Sequence, residues 1–222
     1  RNHSRFSDAE AERMRNRFDT CIAFNNTHRL EIPQIVDTML SIYEEVENTP
    51  AEILTEKQRK LQRQIFLSKS NLYMYKNKMD SMLITLNKGL QDAEMAHDTL
   101  ALANAYLRLI TIYTSWRMNK QTSQFIQKGL DVVDNVDDMR KLQILLTSGM
   151  SFHEQNKTDS ALIMINRADK VIATNDTVLN NANSGIDYLY QYIKGWVYSS
   201  IPDSAAAAVK ILEPVYKAYA PQ

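Results

Sequence analysis

Residues 86–90 read Leu-Asn-Lys-Gly-Leu, and residues 126–130 read Ile-Gln-Lys-Gly-Leu. Both stretches lie inside sequence with helical periodicity, where a glycine costs about 1 kcal/mol relative to alanine. The return of glycine at the same place therefore predicts that two helix backbones approach closely there. Gly149 and Gly195, each three residues before an aromatic residue, fit the same pattern. These four glycines predict packed helices rather than loops, and their recurrence predicts a helical repeat.

The apolar spacing predicts an all-α chain of ten helices in five antiparallel pairs. Short connections between the helices favour antiparallel neighbours. We expect a single repeat domain over residues 1–222, with units at about 1–50, 53–97, 98–136, 137–175 and 176–219. The predicted helices occupy about residues 8–25, 33–48, 53–77, 80–96, 99–117, 121–134, 138–155, 159–174, 178–199 and 203–219.

Aligning the last four pairs brings small, aromatic and aliphatic positions into register. Near the end of the first helices a small position (Ser70, Ile110, Gly149, Gly195) precedes an aromatic one (Tyr73, Tyr113, Phe152, Tyr198). The second helices align at Met82, Thr122, Ala161 and Ala205, at Leu86, Ile126, Ile165 and Val209, and at Gly89, Gly129, Ala168 and Leu212. An aromatic side chain fills the gap left by a small residue opposite. Leucine at Gly149 should therefore cost roughly 1–3 kcal/mol, and leucine at Gly185, outside the pattern, should cost less.

Short oxygen-bearing residues mark the predicted helix starts, because their side chains accept hydrogen bonds from the unpaired amides of the first turn. We expect Asp137 and Asp138 to begin a helix rather than to act as paired catalytic carboxylates, since negative charge suits a helix N-terminus. Three pairs are expected to open second helices and two to precede first helices: Asp80-Ser81, Asp159-Ser160 and Asp203-Ser204, then Asp98-Thr99 and Asp176-Thr177.

Composition excludes several classes of protein. Lys plus Arg and Asp plus Glu number 26 each, so the formal net charge is zero and no strong field favours nucleic acid. Cys21 is the single cysteine, and we interpret it as a small core residue. No apolar run approaches the roughly 20 residues that span a bilayer. Because the chain starts at Arg1 rather than methionine, we expect a piece of a longer protein, which meets a membrane only through segments outside these residues.

Catalytic and metal-binding patterns are missing from the sequence. The histidines His3, His28, His97 and His153 are scattered, without the ligand spacing of a zinc site. No glycine-rich phosphate loop and no nucleophile elbow is present. We therefore expect no enzymatic activity, no cofactor and no metal.

The aligned pairs resemble the tetratricopeptide repeat over about residues 63–213, although these units exceed the usual 34 residues. The resemblance implies a right-handed superhelix whose first helices line a concave groove. Carried onto this chain, the groove is nearly uncharged and lacks the basic residues of a carboxylate clamp, as suits an extended peptide or a partner helix. Its candidate binding residues are Asn71, Met74, Asn104, Thr111, Gln143, Met150, His153, Tyr192 and Trp196. A packing role between helices is the alternative for Trp196 and for the leucines of the same stripe, Leu67, Leu107 and Leu146.

A narrower resemblance connects residues 97–106 and 157–162 with the tetratricopeptide sensor regions of Bacteroidota regulators. It implies a periplasmic or extracytoplasmic domain that senses a protein, a peptide or an exported ligand ahead of a kinase or DNA-binding output domain. The Asp-Ser pairs also look like the O-glycosylation signal of exported proteins of that phylum. A constitutive assembly scaffold and a cytoplasmic peptide-binding regulator are the alternative functions.

Overall fold

The computed structural model describes residues 8–27, 33–49, 54–180 and 185–219. These residues form ten α-helices and no strand, which confirms the predicted all-α class for this part of the chain. Nine of the ten helices lie within three residues of their predicted bounds. The helices are α1 (Asp8–Thr27), α2 (Pro33–Glu47), α3 (Glu56–Tyr75), α4 (Met79–Met95), α5 (Thr99–Ser115), α6 (Asn119–Val132), α7 (Asp138–Glu154), α8 (Thr158–Thr174), α9 (Ile186–Ser199) and α10 (Ala205–Tyr219).

Two compact units divide the chain, Arg1–Ala101 and Leu102–Gln222, with the boundary inside α5. In the first unit α1 packs against α2 and α3, α2 packs against α3, and α3 packs against α4. The core of this unit includes Phe18 from α1, Tyr43 from α2 and Ile65 from α3. Helix α3 begins with a capping box, because the Thr55 and Gln58 side chains each bond to the other residue's backbone N–H.

In the second unit α7 packs against α6, α8 and α9, and α9 also packs against α8 and α10. The core is built from Leu142 of α7, Ile165 of α8 and Ile193 of α9, all with 0% exposure. Helices α5 and α6 meet through the stacked rings of Tyr113 and Phe125, 5.6 Å between centroids. The first helix of a pair therefore contacts both its own partner and the first helix of the next pair, as α7 contacts α8 and α9.

Four helices end in the same tight turn, built without glycine. Asn77, His97, Arg117 and Asn156 each adopt left-handed backbone geometry, with φ between 50° and 57°. The next residue's N–H then bonds to the carbonyl five residues before it, as Met118 does to Tyr113 at 2.9 Å. This is the Schellman motif, whose left-handed position glycine usually occupies. The glycines of this chain serve helix packing instead.

The predicted close approach is confirmed at Gly89 and Gly195, whereas Gly129 and Gly149 lie at ordinary contact distance from their neighbours. A Cβ atom at Gly89 would lie 2.9 Å from Phe66 Cβ, and one at Gly149 would lie 3.4 Å from Met164 Cβ. At Gly195 it would lie 2.5 Å from Leu212 Cγ. Each glycine belongs to a helix pair that packs at this contact.

The aligned positions of the second helices are right in α4, α6 and α8 but wrong in α10. Ile165 of α8 is fully buried, whereas Val209, aligned with it, is 61% exposed. Gly149 contacts Ile165, but Gly195 contacts Leu212 and Ile211. Since buried Ala208 and Val215 flank this contact, the register of α10 is shifted by three residues from the predicted alignment.

The predicted start of α9 at residue 178 is wrong. A 3-10 helix, Asp176–Asn180, precedes it, and the expected helix start at Asp176-Thr177 lies in that short element. Residues 181–184 lie outside the described part. Gly185, directly before α9, has a left-handed backbone with φ of 62°, so α9 begins at Ile186.

Two of the predicted helix caps are also wrong. Helices α4 and α8 follow Lys78 and Lys157, and neither has a side-chain cap hydrogen bond. Asp80 and Asp159 instead lie second in their helices, where a carboxylate favours the positive end of the helix dipole. The N-cap position after each of these turns is occupied by a lysine, whose side chain has no acceptor for the amides of the first turn.

The caps at Asp98 and Asp137 are confirmed. Asp137 accepts a hydrogen bond from the Arg140 amide at 3.0 Å, so the Asp137-Asp138 pair begins α7. Asp98 accepts from the Ala101 amide at 3.1 Å and from Nε of buried Arg63 at 3.0 Å. It therefore fixes the start of α5 and neutralises a cation inside the first unit.

The expectation that leucine costs less at Gly185 than at Gly149 stays a prediction, because the two positions differ in the kind of cost. Gly185 stands before α9 with φ of 62°, and a Cβ atom would meet nothing within 4 Å. The cost of a side chain is thus backbone strain of about 1–2 kcal/mol rather than overlap. A comparison of Gly149 with Gly185 does not isolate packing.

Gly89→Ala isolates packing better, because the Cβ atom of Phe66 cannot move away without its backbone. We expect a loss of about 1–3 kcal/mol in the free energy of unfolding, even though alanine favours a helix by about 1 kcal/mol. Gly149→Ala, whose contact is 3.4 Å, is the control and should be close to neutral. Urea unfolding followed by circular dichroism measures both. A Gly89→Ala variant as stable as the parent would contradict the close approach.

Arg117→Gly should stabilise the protein. Arg117 is exposed and left-handed at φ 56°, a geometry that glycine adopts without strain. We expect a gain of about 1 kcal/mol in the free energy of unfolding. Arg117→Ala keeps the strain and should change little. If alanine and glycine raised the melting temperature equally, relief of strain would not be the cause.

Candidate binding surface

The predicted groove residues fall in both units. In the first unit, Asn71 and Met74 lie one turn apart near the end of α3, and Met74 is 44% exposed. The second unit carries the other seven on its three first helices, α5, α7 and α9. Helices α5 and α7 are joined by a buried hydrogen bond between the Thr114 and Ser151 hydroxyls, 2.7 Å long.

The structure brings three of the seven together where α7 meets α9. The His153 ring packs edge-on against Trp196, with 4.3 Å between centroids. Trp196 lies beside Tyr192 at 6.0 Å, and Tyr192 stacks on Tyr188 at 5.9 Å. Tyr192 is 39% exposed and Trp196 is half-buried, so the rings form a row at the surface rather than part of the core.

This aromatic row, Tyr188, Tyr192 and Trp196, follows from the sequence of α9. Residues four and eight apart lie on the same side of a helix. Ile193 and Val197 point to the core with 0% exposure, which leaves the tyrosines and the tryptophan on other faces.

A different face of α9 is fastened to α8 by a polar cluster. Lys194 Nζ lies 2.9 Å from Asp169 Oδ2 and 2.8 Å from the Tyr190 hydroxyl, which donates to Asp169 Oδ1 at 2.8 Å. Burial raises the pKa of Tyr190 against the effect of the Lys194 hydrogen bond, so no reactive phenolate forms. Burial alone would lower the pKa of Lys194, but bonds to Asp169 and Tyr190 raise it. The role of the cluster is structural, because its hydrogen bonds hold α9 against α8.

Burial also determines the charge of His153. Desolvation lowers its pKa below the ordinary value, and the opposing effect of the Glu154 carboxylate is smaller. Its Nδ1 atom is buried and has no hydrogen-bond partner among the described residues. The imidazole beside Trp196 is therefore neutral at physiological pH.

The remaining four predicted residues are not joined to this cluster by any described contact. The Thr111 hydroxyl donates to the Leu107 carbonyl of its own helix. Gln143 accepts from an Arg140 amino group at 2.7 Å, and Asn104 is half-buried. Met150 packs against the core of the second unit. Leu146, by contrast, is fully buried, so the packing role weighed for it is confirmed.

Two arginines on these helices were missed by the sequence analysis. Nε of Arg108 and Nε of Arg140 are buried without a hydrogen-bond partner among the described residues. Burial lowers the pKa of Arg108, and no carboxylate compensates. A buried cation is normally paired. The only sequence signal was its spacing, since Arg108 lies four residues after Asn104 and three before Thr111 on a helix.

The described residues contain no group of metal-ligating side chains, and burial keeps the thiol of their cysteine protonated. No three of their His, Cys, Asp or Glu side chains lie close enough together to hold a metal ion. Burial raises the pKa of the Cys21 thiol to about 12, so the thiolate is scarce at neutral pH. None of the described helices has the length and apolarity needed to cross a bilayer.

The second unit thus carries a row of aromatic rings at its surface and an arginine, Arg108, whose Nε has no hydrogen-bond partner among the described residues. The chain matches no protein-family model and no curated protein sequence.

The neutral state of His153 predicts how the fluorescence of Trp196 depends on pH. A protonated imidazole quenches indole emission at contact distance. In a Trp116→Phe background we expect constant emission down to pH about 6.5, then quenching with a midpoint below that value. Because the folded-state pKa is lowered, stability should also fall as pH drops through this range. His153→Gln should remove the step, and a midpoint above pH 6.5 would contradict the burial argument.

Proposed function

We propose that this chain is a non-catalytic domain of tetratricopeptide type that binds a protein or a peptide on the first helices of its second unit. In this proposal the helix pairs wind into a right-handed superhelix. The contact of α7 with α8 and α9, and the repeated three-residue turns, support this arrangement. The observation that carries the binding function is the surface aromatic row beside His153.

Aromatic residues grouped at a surface are typical of the energetic centres of protein interfaces. Tyr192 is among the large apolar side chains left exposed, and its neighbour Trp196 has an indole edge at the same surface. Met150, three residues before His153 on α7, packs against the core, and the methionine side chain adapts readily to its neighbours. The surface suits an extended peptide or a helix of a partner.

Arg108 supports the same function from α5. Its Nε is buried without a hydrogen-bond partner among the described residues, and leaving a buried donor unpaired costs stability. An acceptor on the ligand would satisfy Nε.

We further propose that the domain is the input region of a membrane-linked bacterial signalling regulator and acts outside the cytoplasm. This part rests on the resemblance of residues 97–106 and 157–162 to such sensors. Ligand binding would then act by changing the preferred curvature of the repeat array, since a ligand shifts an equilibrium only by its differential affinity for the two states.

Site-directed photocrosslinking tests the binding function. A photoreactive phenylalanine at Tyr192 should yield one defined adduct with an extract of exported proteins from the source organism. The same residue at Ile163, an exposed apolar position of α8 in the same unit, should not. Equal adducts at both positions, or none at Tyr192, would contradict the proposed surface.

Arg108→Met separates function from stability. Removing an unpaired cation should raise the free energy of unfolding by about 0.5–2 kcal/mol while weakening the Tyr192 adduct. Arg117→Met, at an exposed arginine, should change stability by less than about 0.5 kcal/mol and leave the adduct intact. An Arg108→Met protein that is more stable and crosslinks as well as the parent would show that Arg108 has no part in binding.

A further inference from the structure

Helix α9 already holds a cation between two aromatic rings. Tyr190 and Tyr198 are eight residues apart, and Lys194 lies midway along the chain between them. Its Nζ atom lies 5.1 Å from the centroid of the Tyr190 ring and 5.9 Å from that of Tyr198. Asp169 of α8 anchors the ammonium group. The cation on this face is supplied by the chain itself.

The aromatic row on the other side repeats this spacing with a ring in the middle. Tyr188 and Trp196 are eight residues apart, and Tyr192 takes the place that Lys194 has in the first row. Over residues 8–27, 33–49, 54–180 and 185–219, no lysine or arginine lies over the ring of Tyr192 or Trp196. Lysines do lie over seven other rings: Phe66, Tyr73, Tyr106, Phe125, Phe152, Tyr190 and Tyr198.

The charges around the row favour a cation. His153, in contact with Trp196, is neutral because of its burial and does not repel a positive group. One exposed carboxylate, Glu154, directly follows His153 on α7 and acts electrostatically on its ring. Arg140 lies at the opposite end of α7, about 20 Å from His153 along the helix. Lys194 is already held by Asp169 on another face.

We propose that Tyr192 and Trp196 bind a cationic side chain, a guanidinium or ammonium group, of the peptide partner. This inference rests on the proposed function and names the chemistry of its ligand at α9. The negative faces of the two rings attract a cation within about 6 Å of their centroids. Aromatic rings also pack against the methylene groups of arginine and lysine. A neutral analogue of the same shape would keep the packing and lose the attraction.

Two small probes of matched shape test the proposal on the intact chain. N-acetyl-arginine amide carries the charge, and N-acetyl-citrulline amide is its neutral analogue. The two tryptophans, Trp116 and Trp196, give separate indole N–H signals in a nitrogen–proton correlation spectrum. We expect the arginine probe to shift the Trp196 signal and to bind about two- to fivefold more tightly than the citrulline probe, with Trp116 unmoved.

Variants at the exposed ring keep the test independent of folding. Tyr192→Phe retains the ring face and should preserve the charge preference. Tyr192→Leu keeps an apolar side chain and should abolish it, at unchanged melting temperature. Equal affinity for both probes would overturn the inference and identify an apolar site instead. No shift at Trp196, or the same shift in Tyr192→Leu, would overturn it as well.

The outcome is distinguishable from failure of the proposed function. If the Tyr192 crosslink to a partner persists while the arginine preference is absent, the binding surface stands and only its cationic ligand is wrong. If neither is observed, the binding surface itself is wrong.

Discussion

The close approach of paired helices at positions without a side chain is the constraint on which the fold depends. Gly89 leaves no room for a Cβ atom beside Phe66, and Gly149 places the backbone of α7 directly on Ala161 and Met164. At these distances large residues of one helix fill the space that the other leaves. The contact fixes which face of each helix is buried and therefore which faces remain for binding. The left-handed positions of the turns between helices are occupied by Asn, His and Arg rather than by glycine.

The regular part of this arrangement was predictable from the sequence. Periodicity located the helices, and the recurrence of Lys-Gly-Leu identified the packing face of α4 and α6. The failures occurred where tertiary contact overrides local pattern. In α10 the four alanines Ala205–Ala208 are alike, so the sequence could be aligned in more than one register. The contact of Leu212 with Gly195 determines the register in the structure. Asp80 and Asp159 look like helix caps, but the preceding turn places them inside the first helical turn.

The candidate site was predictable only in part, for a similar reason. The tetratricopeptide resemblance placed His153, Tyr192 and Trp196 on first helices, but their convergence depends on the packing of α7 against α9. Asn104, Thr111 and Gln143 were named from the same resemblance, and the structure joins none of them to the aromatic cluster. Arg108 was missed because its notable feature is a buried Nε without a hydrogen-bond partner among the described residues. No sequence pattern indicates that a hydrogen bond is absent.

The two ring-bearing faces of α9 show how one helix separates stability from binding. On one face Lys194, Tyr190 and Asp169 satisfy each other completely, so the charge contributes to holding α9 against α8 and nothing is left for a ligand. On the other, rings of the same spacing lie beside a neutral imidazole, without an internal cation over Tyr192 or Trp196 in the described chain. The unsatisfied faces cost the isolated protein little, because aromatic surface at a helix edge remains partly packed. They gain most when a cation replaces water above them. Aromatic residues therefore hold α9 in place where Lys194 lies over their rings, and remain open to a ligand where no internal lysine does.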